Sequence, residues 1–265
     1  MYDFAYHRPK TLAEAASALK GKPEARAMSG GMTLIPTLKQ RLAKPSDVVD
    51  LGGIKDLAGI KVDGSGVTVG GMTRHADVAS SGDVKKAIPA LAHLAGHIGD
   101  PAVRNRGTMG GSVANSDPAA DYPAAVLALN ATITTNSRSI KADDFFKGLF
   151  ETALEDGELI TGITFPKADK AGYMKFPNPA SRYAMVGVFV AKTGNGVRVA
   201  VTGAGPCAFR VKAMEDALAK NFSSDAIKDI KVPADGLNSD IHGSAEYRAH
   251  LVTVMARRAV DQANK

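Results

Sequence analysis

The chain has 265 residues, of which 45% are apolar and 23% charged, which is ordinary globular usage and excludes a low-complexity or disordered polypeptide. Its apolar runs, such as 124–129 and 186–191, fall far short of the roughly 20 residues a membrane-spanning helix needs, and the opening MYDFAYHRPK lacks the order of a signal peptide, so a cytoplasmic location is expected. The net charge of +6 does not make a nucleic-acid face: Lys and Arg are dispersed, there is no Trp, and aromatics are 6%.

In chain order, residues 2–7 read as a strand, followed by a helix over 11–19 in which Thr11 and Glu14 form a capping box and Gly21 ends the run. A short strand over 25–28 runs into Ser29-Gly30-Gly31, after which Leu34, Ile35, Leu38 and Leu42 recur at helical spacing. The next strand, 48–51, ends at Gly52-Gly53 and closes a first subdomain, 1–55. A hairpin pairs 60–62 with 67–69 around Asp63-Gly64-Ser65-Gly66. Thr73 is placed to cap the helix that follows, and 88–95 supplies another.

Residues 96–123 read as a long irregular region, and loops of that length in compact domains are usually functional. A helix over 124–129 and a strand over 131–135 are followed by the apolar stretches 145–150 and 159–165, which lead to Pro166 and a boundary near 167–172, so the second subdomain is 56–172. The remainder, 173–265, shows strands at 173–176, 186–192 and 197–202, a Gly194-Asn195-Gly196 hairpin turn, and helices at 210–219, 223–229 and 245–263. The fold class is α+β.

Two glycine loops carry the chemistry. In the first, Ser29-Gly30-Gly31-Met32-Thr33 sits between a strand and a helix, where backbone N–H groups converge on an anion and a Cβ would hold a diphosphate away; a plain turn explains it equally well. The second, Thr108-Met109-Gly110-Gly111-Ser112, is followed by Asn115 and Asp121. Two such loops are able to grip an extended dinucleotide, with Asp121 accepting from ribose hydroxyls or an adenine amine, or else capping a helix.

Neither loop fits a Rossmann G-x-G-x-x-G or a P-loop, and no serine-hydrolase elbow is present. The single cysteine, Cys207, excludes an intrachain disulfide and a four-thiolate cluster, so redox work needs an organic cofactor. No base flanks Cys207 in the sequence, and the i,i+4 pair His93 and His97 has no acid between its members. No catalytic residue and no metal site are therefore expected in this chain.

At these loops the sequence resembles the FAD-binding medium subunit of the molybdenum hydroxylases, the family of carbon monoxide and xanthine dehydrogenases. Its landmarks are Phe4 to Pro9, Gly30 to Pro36, Val69 to His75, Ile98 to Ser112 and Asp117 to Pro123, which span nearly the whole chain. The resemblance implies a vanillyl-alcohol-oxidase or PCMH-type FAD-binding fold: two α/β subdomains around non-covalent FAD, plus a C-terminal α/β domain. It carries over as cofactor contacts Ala27, Met28, Ser29, Gly30, Gly31, Met32, Thr33, Leu34, Ile98, Thr108, Met109, Gly110, Gly111, Ser112, Asn115 and Asp121, with Leu159 and Lys175 near the flavin.

Ser29 stands where the family often has Ala, and Met32 where many members have a polar residue, so Met32 is expected to offer only its backbone amide. The segment 176–183 varies in the family and lies where several members shape access to the flavin. The resemblance further implies electron transfer between FAD and the [2Fe–2S] clusters of a small partner subunit, a large partner subunit with the molybdenum cofactor, and a heterohexamer with two copies of each. A stand-alone flavoprotein oxidase, with His75 as a conceivable flavin attachment point, and a flavin-free nucleotide-binding assembly module are the alternatives.

Overall fold

The computed structural model describes residues 1–265. The first unit alternates β1 (Ala5–His7), α1 (Leu12–Leu19), β2 (Arg26–Met28), α2 (Leu34–Lys39) and β3 (Asp47–Asp50). Its three strands are parallel in the order β1-β3-β2, as short strand–helix–strand crossovers require. The capping box is present, since the Thr11 hydroxyl accepts from the Glu14 amide and the Glu14 carboxylate accepts from the Thr11 amide. Ala15, Leu19, Val49, Leu51 and Leu57 form a small core, which Leu159 joins from a distant part of the chain.

The second unit opens with the expected hairpin, β4 (Ile60–Val62) and β5 (Gly66–Gly70). Helices α3 (His75–Ser80), α4 (Gly82–Ala87), α5 (Pro89–Gly96), α6 (Pro101–Arg104), α7 (Met109–Asn115) and α8 (Tyr122–Ala128) follow. Then come β6 (Thr132–Thr135), β7 (Ser139–Lys141), α9 (Ala142–Phe145), β8 (Phe146–Gly148), β9 (Glu151–Thr152) and β10 (Ile160–Pro166). The main sheet is antiparallel, in the order β4-β5-β10-β6-β7.

Two sequence expectations are corrected in this unit. The stretch 96–123 is not one irregular loop: α6 and α7 lie within it, and the second glycine pair forms the first turn of α7, with Thr108 as its N-cap accepting from the Gly111 amide at 3.2 Å. Thr73 does not cap α3. Its hydroxyl is held by the backbone of Gly59, at 2.9 Å to both N and O, so Arg74 occupies the cap position without a side-chain bond.

The third sheet, β11 (Lys170–Pro177), β12 (Ala184–Thr193), β13 (Gly196–Thr202) and β14 (Phe209–Arg210), is antiparallel. Helix α10 (Lys212–Lys220) and the long α11 (Ala245–Ala263) cover one face, and α8 packs on the other. Residues 184–191 of β12 are accordingly buried on both faces, which explains their unbroken apolar run. At Gly172 the β11 backbone approaches α11 so closely that a Cβ would collide with the Ala259 carbonyl. The largest core cluster is continuous from the second sheet into Tyr173, Phe189 and Ala200 of the third. No helix is long and apolar enough to cross a membrane.

Candidate functional site

The termini of β2 and α7 meet at one cleft because glycine lets their backbones touch. A Cβ on Gly30 would strike the Arg106 carbonyl, one on Gly110 would sit 2.6 Å from the Gly71 carbonyl oxygen, and one on Gly111 would lie 2.9 Å from the Thr108 hydroxyl. Gly31 adopts φ +71, a left-handed conformation that a Cβ penalises. The cleft that results is a cavity of about 840 Å³, towards the upper end of the ~300–1,000 Å³ usual for small-molecule sites.

Sixteen of the eighteen carried-over residues line this one cavity: Ala27 to Leu34 without a gap, Ile98, Thr108, Gly110, Gly111, Ser112, Asn115, Asp121 and Leu159. The structure places the other two elsewhere. Met109 is fully buried in the core under α7, the ordinary fate of an apolar side chain on the inner face of a helix. Lys175, on β11, lies behind Asp121, its ammonium 3.0 Å from the carboxylate and 3.0 Å from the His97 carbonyl oxygen.

The two glycine loops differ in what they offer a ligand. The amides of Met109, Gly110, Gly111 and Ser112 all donate within the chain, to Thr73 O, Gly71 O, the Thr108 hydroxyl and Thr108 O. By contrast, none of the six consecutive amides from Ser29 to Leu34 donates to any acceptor in the chain, and all six residues face the cavity. None of the six residues is buried, and a run of free N–H groups leading into the start of α2 on a cavity wall is suited to receive an anion. The second loop contributes the Ser112 hydroxyl and the tight approach that closes the wall.

The cavity is also lined by acids, among them Asp117, Asp121 and Glu158. Asp121 accepts from the Tyr173 hydroxyl and from Lys175; burial pushes its carboxyl up, while the Lys175 ammonium and the Tyr173 hydroxyl pull it down. It stands at the N-cap position of α8 but makes no capping bond, which removes the helix-cap reading. Asp117, also raised by burial, accepts from the Ala119 amide at 2.9 Å. Glu158 is held down to about 2 by Arg138, with the Glu155 amide and the Thr135 and Ser137 hydroxyls adding to the effect.

His75 is a wall residue that the motif reading left outside the cofactor set. Its ring packs against Tyr122 at 5.4 Å between centroids, its Nδ1 has no partner, and desolvation together with nearby Arg104 lowers it to about 4, so it is neutral near pH 7. Gly71, Met72 and Tyr183 were also missed. Adjacent glycines at 70 and 71 were a usable signal for the first two, and Tyr183 ends the 176–183 segment that the resemblance places at the access to the flavin.

His93 and His97 stack on each other, and no group of three potential metal ligands is present. Burial raises the Cys207 thiol, so it is not an activated thiolate. A cavity lined by a run of free amides and by carboxylates suits a ligand with a central diphosphate and hydroxyl or amine donors, which is the chemistry of a dinucleotide. The fold and site together define a dinucleotide-binding protein.

Comparison with known proteins identifies the family. Residues 2–168 match the FAD-binding domain in molybdopterin dehydrogenase, and residues 171–263 the C-terminal domain of the carbon monoxide dehydrogenase flavoprotein. The chain belongs to the FAD-binding medium subunits of the molybdenum hydroxylases. It is 38% identical to the glyceraldehyde dehydrogenase medium chain of Sulfolobus acidocaldarius, covering 97% of each chain. It is 35% identical to the nicotine 6-hydroxylase medium subunit of Paenarthrobacter nicotinovorans, covering 97% of this chain and 96% of the other. A solved carbon monoxide dehydrogenase from Hydrogenophaga pseudoflava, lacking the Mo-pyranopterin moiety, superposes with a TM-score of 0.88 at 35% identity, covering 98% and 96% of the respective chains.

Proposed function

We propose that this chain holds one FAD non-covalently and passes electrons between the [2Fe–2S] clusters of a small partner subunit and an external acceptor. The substrate is then oxidised at a molybdenum cofactor on a large partner subunit, in a heterohexamer with two copies of each chain. The observation that carries this reading is the run of six acceptor-free amides, Ser29 to Leu34, on the wall of a dinucleotide-sized cavity. A flavin-free assembly module has no need of six free amides lined up on the wall of such a cavity.

In this reading the Ser29 to Leu34 amides take the diphosphate, the 1–55 and 56–172 subdomains supply the two walls, and the 173–265 domain closes the site from behind Asp121. The Thr108 and Ser112 hydroxyls and Asn115 complete the polar contacts, and Ile98 and Leu159 supply apolar surface. Lys175 acts through Asp121, whose orientation it fixes. Bound FAD supplies one- and two-electron redox chemistry; the chain's part is to position the ring and set its potential through nearby charge.

The test is anaerobic mixing of the FAD-loaded chain with the reduced small [2Fe–2S] subunit. Bleaching of the flavin band near about 450 nm, an approximate property of the cofactor itself, is expected. A flavin that stays oxidised while the clusters stay reduced would contradict the electron-transfer assignment.

A further inference from the structure

Behind the wall formed by Asp121 and Lys175 lies a second cavity, of about 420 Å³, bounded by no hydrophobic residue. It touches the first cavity at Gly99 and Arg182, which line both. Its charged side chains are Arg104, Lys175 and Arg182, with His97 at the rim, and no carboxylate is among its lining residues. Lys175 is neutralised by Asp121 across the wall. Arg104 donates only to the carbonyl oxygens of Ile98 and Gly99, through one nitrogen, and the Arg182 guanidinium bonds to nothing in the chain. Two guanidinium groups therefore face one small polar cavity without a counter-charge.

The loop that presents Arg182 is held firmly. Asn178 N donates to Tyr183 O at 2.8 Å, Arg182 N to Asn178 O at 2.8 Å, and the Asn178 side-chain oxygen accepts from the amides of Ala180 and Ser181. These bonds keep Arg182 at φ +62, a conformation that costs a non-glycine residue free energy and persists only where its surroundings impose it. With its oxygen so engaged, Asn178 keeps a side-chain N–H₂ that bonds to nothing in the chain, and the residue lines the cavity.

We propose that this second cavity binds the phosphate or diphosphate group of a small molecule, separately from the glycine-loop receptor, with Arg104, Arg182 and Asn178 as its donors. Guanidinium groups suit this ligand because their fork of N–H donors matches phosphate oxygens in pairs. The site goes beyond the FAD assignment: of its donors, Arg104 and Asn178 line this cavity alone and Arg182 lines both.

Calorimetric titration of the FAD-loaded chain with inorganic pyrophosphate tests it. Saturable binding is expected, weakened about ten- to a hundredfold in Arg182→Gln, largely restored in Arg182→Lys, and unaffected in Arg257→Gln, a remote exposed arginine. No binding by the loaded chain, or equal weakening by Arg182→Gln and Arg257→Gln, would overturn the proposal. Should the chain fail to load FAD, its visible spectrum reports that separately. The part of pyrophosphate binding to the unloaded chain that is lost in Arg104→Gln then decides this site, since Arg104 lines the second cavity only, and the absence of such a part would overturn the proposal.

Discussion

Two buried titratable groups on the cavity wall set how the protein responds to acid, and they act in different pH windows. The ordinary value of His75 is 6.5 and its folded value about 4, so the unfolded chain takes up a proton that the folded chain refuses. Its contribution is complete above pH 6.5 and is lost as pH falls towards 4, about 3 kcal/mol at most. A His75→Asn variant should lose this part of the pH dependence in urea unfolding. Glu158 falls from 4.5 to about 2, so its contribution survives that range and disappears only as pH drops from 4.5 towards 2. Because Arg138 is 42% exposed, water screens the pair, and Glu158→Gln should cost about 2 kcal/mol at pH 7 and almost nothing near pH 2.

At the scale of elements, glycines decide where the chain packs. Gly172→Leu, whose side chain would press into the Ala259 carbonyl, should separate α11 from β11 and lower stability by about 1–3 kcal/mol, read as a lower urea midpoint with little change in slope. The sequence made many elements legible: the Thr11 capping box, the hairpin around Asp63 to Gly66 and the full extent of α11 all follow from local chemistry. The 96–123 region misled because α6 and α7 are short and α7 opens on two glycines, so they show no apolar period, and their helical state depends on the Asp100 and Thr108 caps and on packing. Sixteen site residues were reachable from motifs, yet the unequal roles of the two glycine loops were not. Whether an amide is free depends on Gly71 and Thr73, which are distant in sequence.

At the scale of the molecule, the ion pair between Asp121 and Lys175 ties the FAD-binding region to the C-terminal domain at the back of the cavity. Both side chains are about 95% buried, so removing one charge strands the other. Asp121→Asn should cost about 3–5 kcal/mol in urea unfolding, and the double variant Asp121→Asn with Lys175→Met should recover a large part of that loss. If the double variant were no more stable than the single one, the pair would not be the source of the coupling.

If the six free amides receive the diphosphate of FAD as proposed, the visible spectrum of the purified chain after incubation with FAD and desalting, repeated for Gly30→Ala, reports it. The account predicts about one retained flavin per chain, and loss of most of it in Gly30→Ala because the added methyl pushes the first loop off the Arg106 backbone. A wild-type chain that retained no flavin, or a Gly30→Ala chain that retained it in full, would contradict the account.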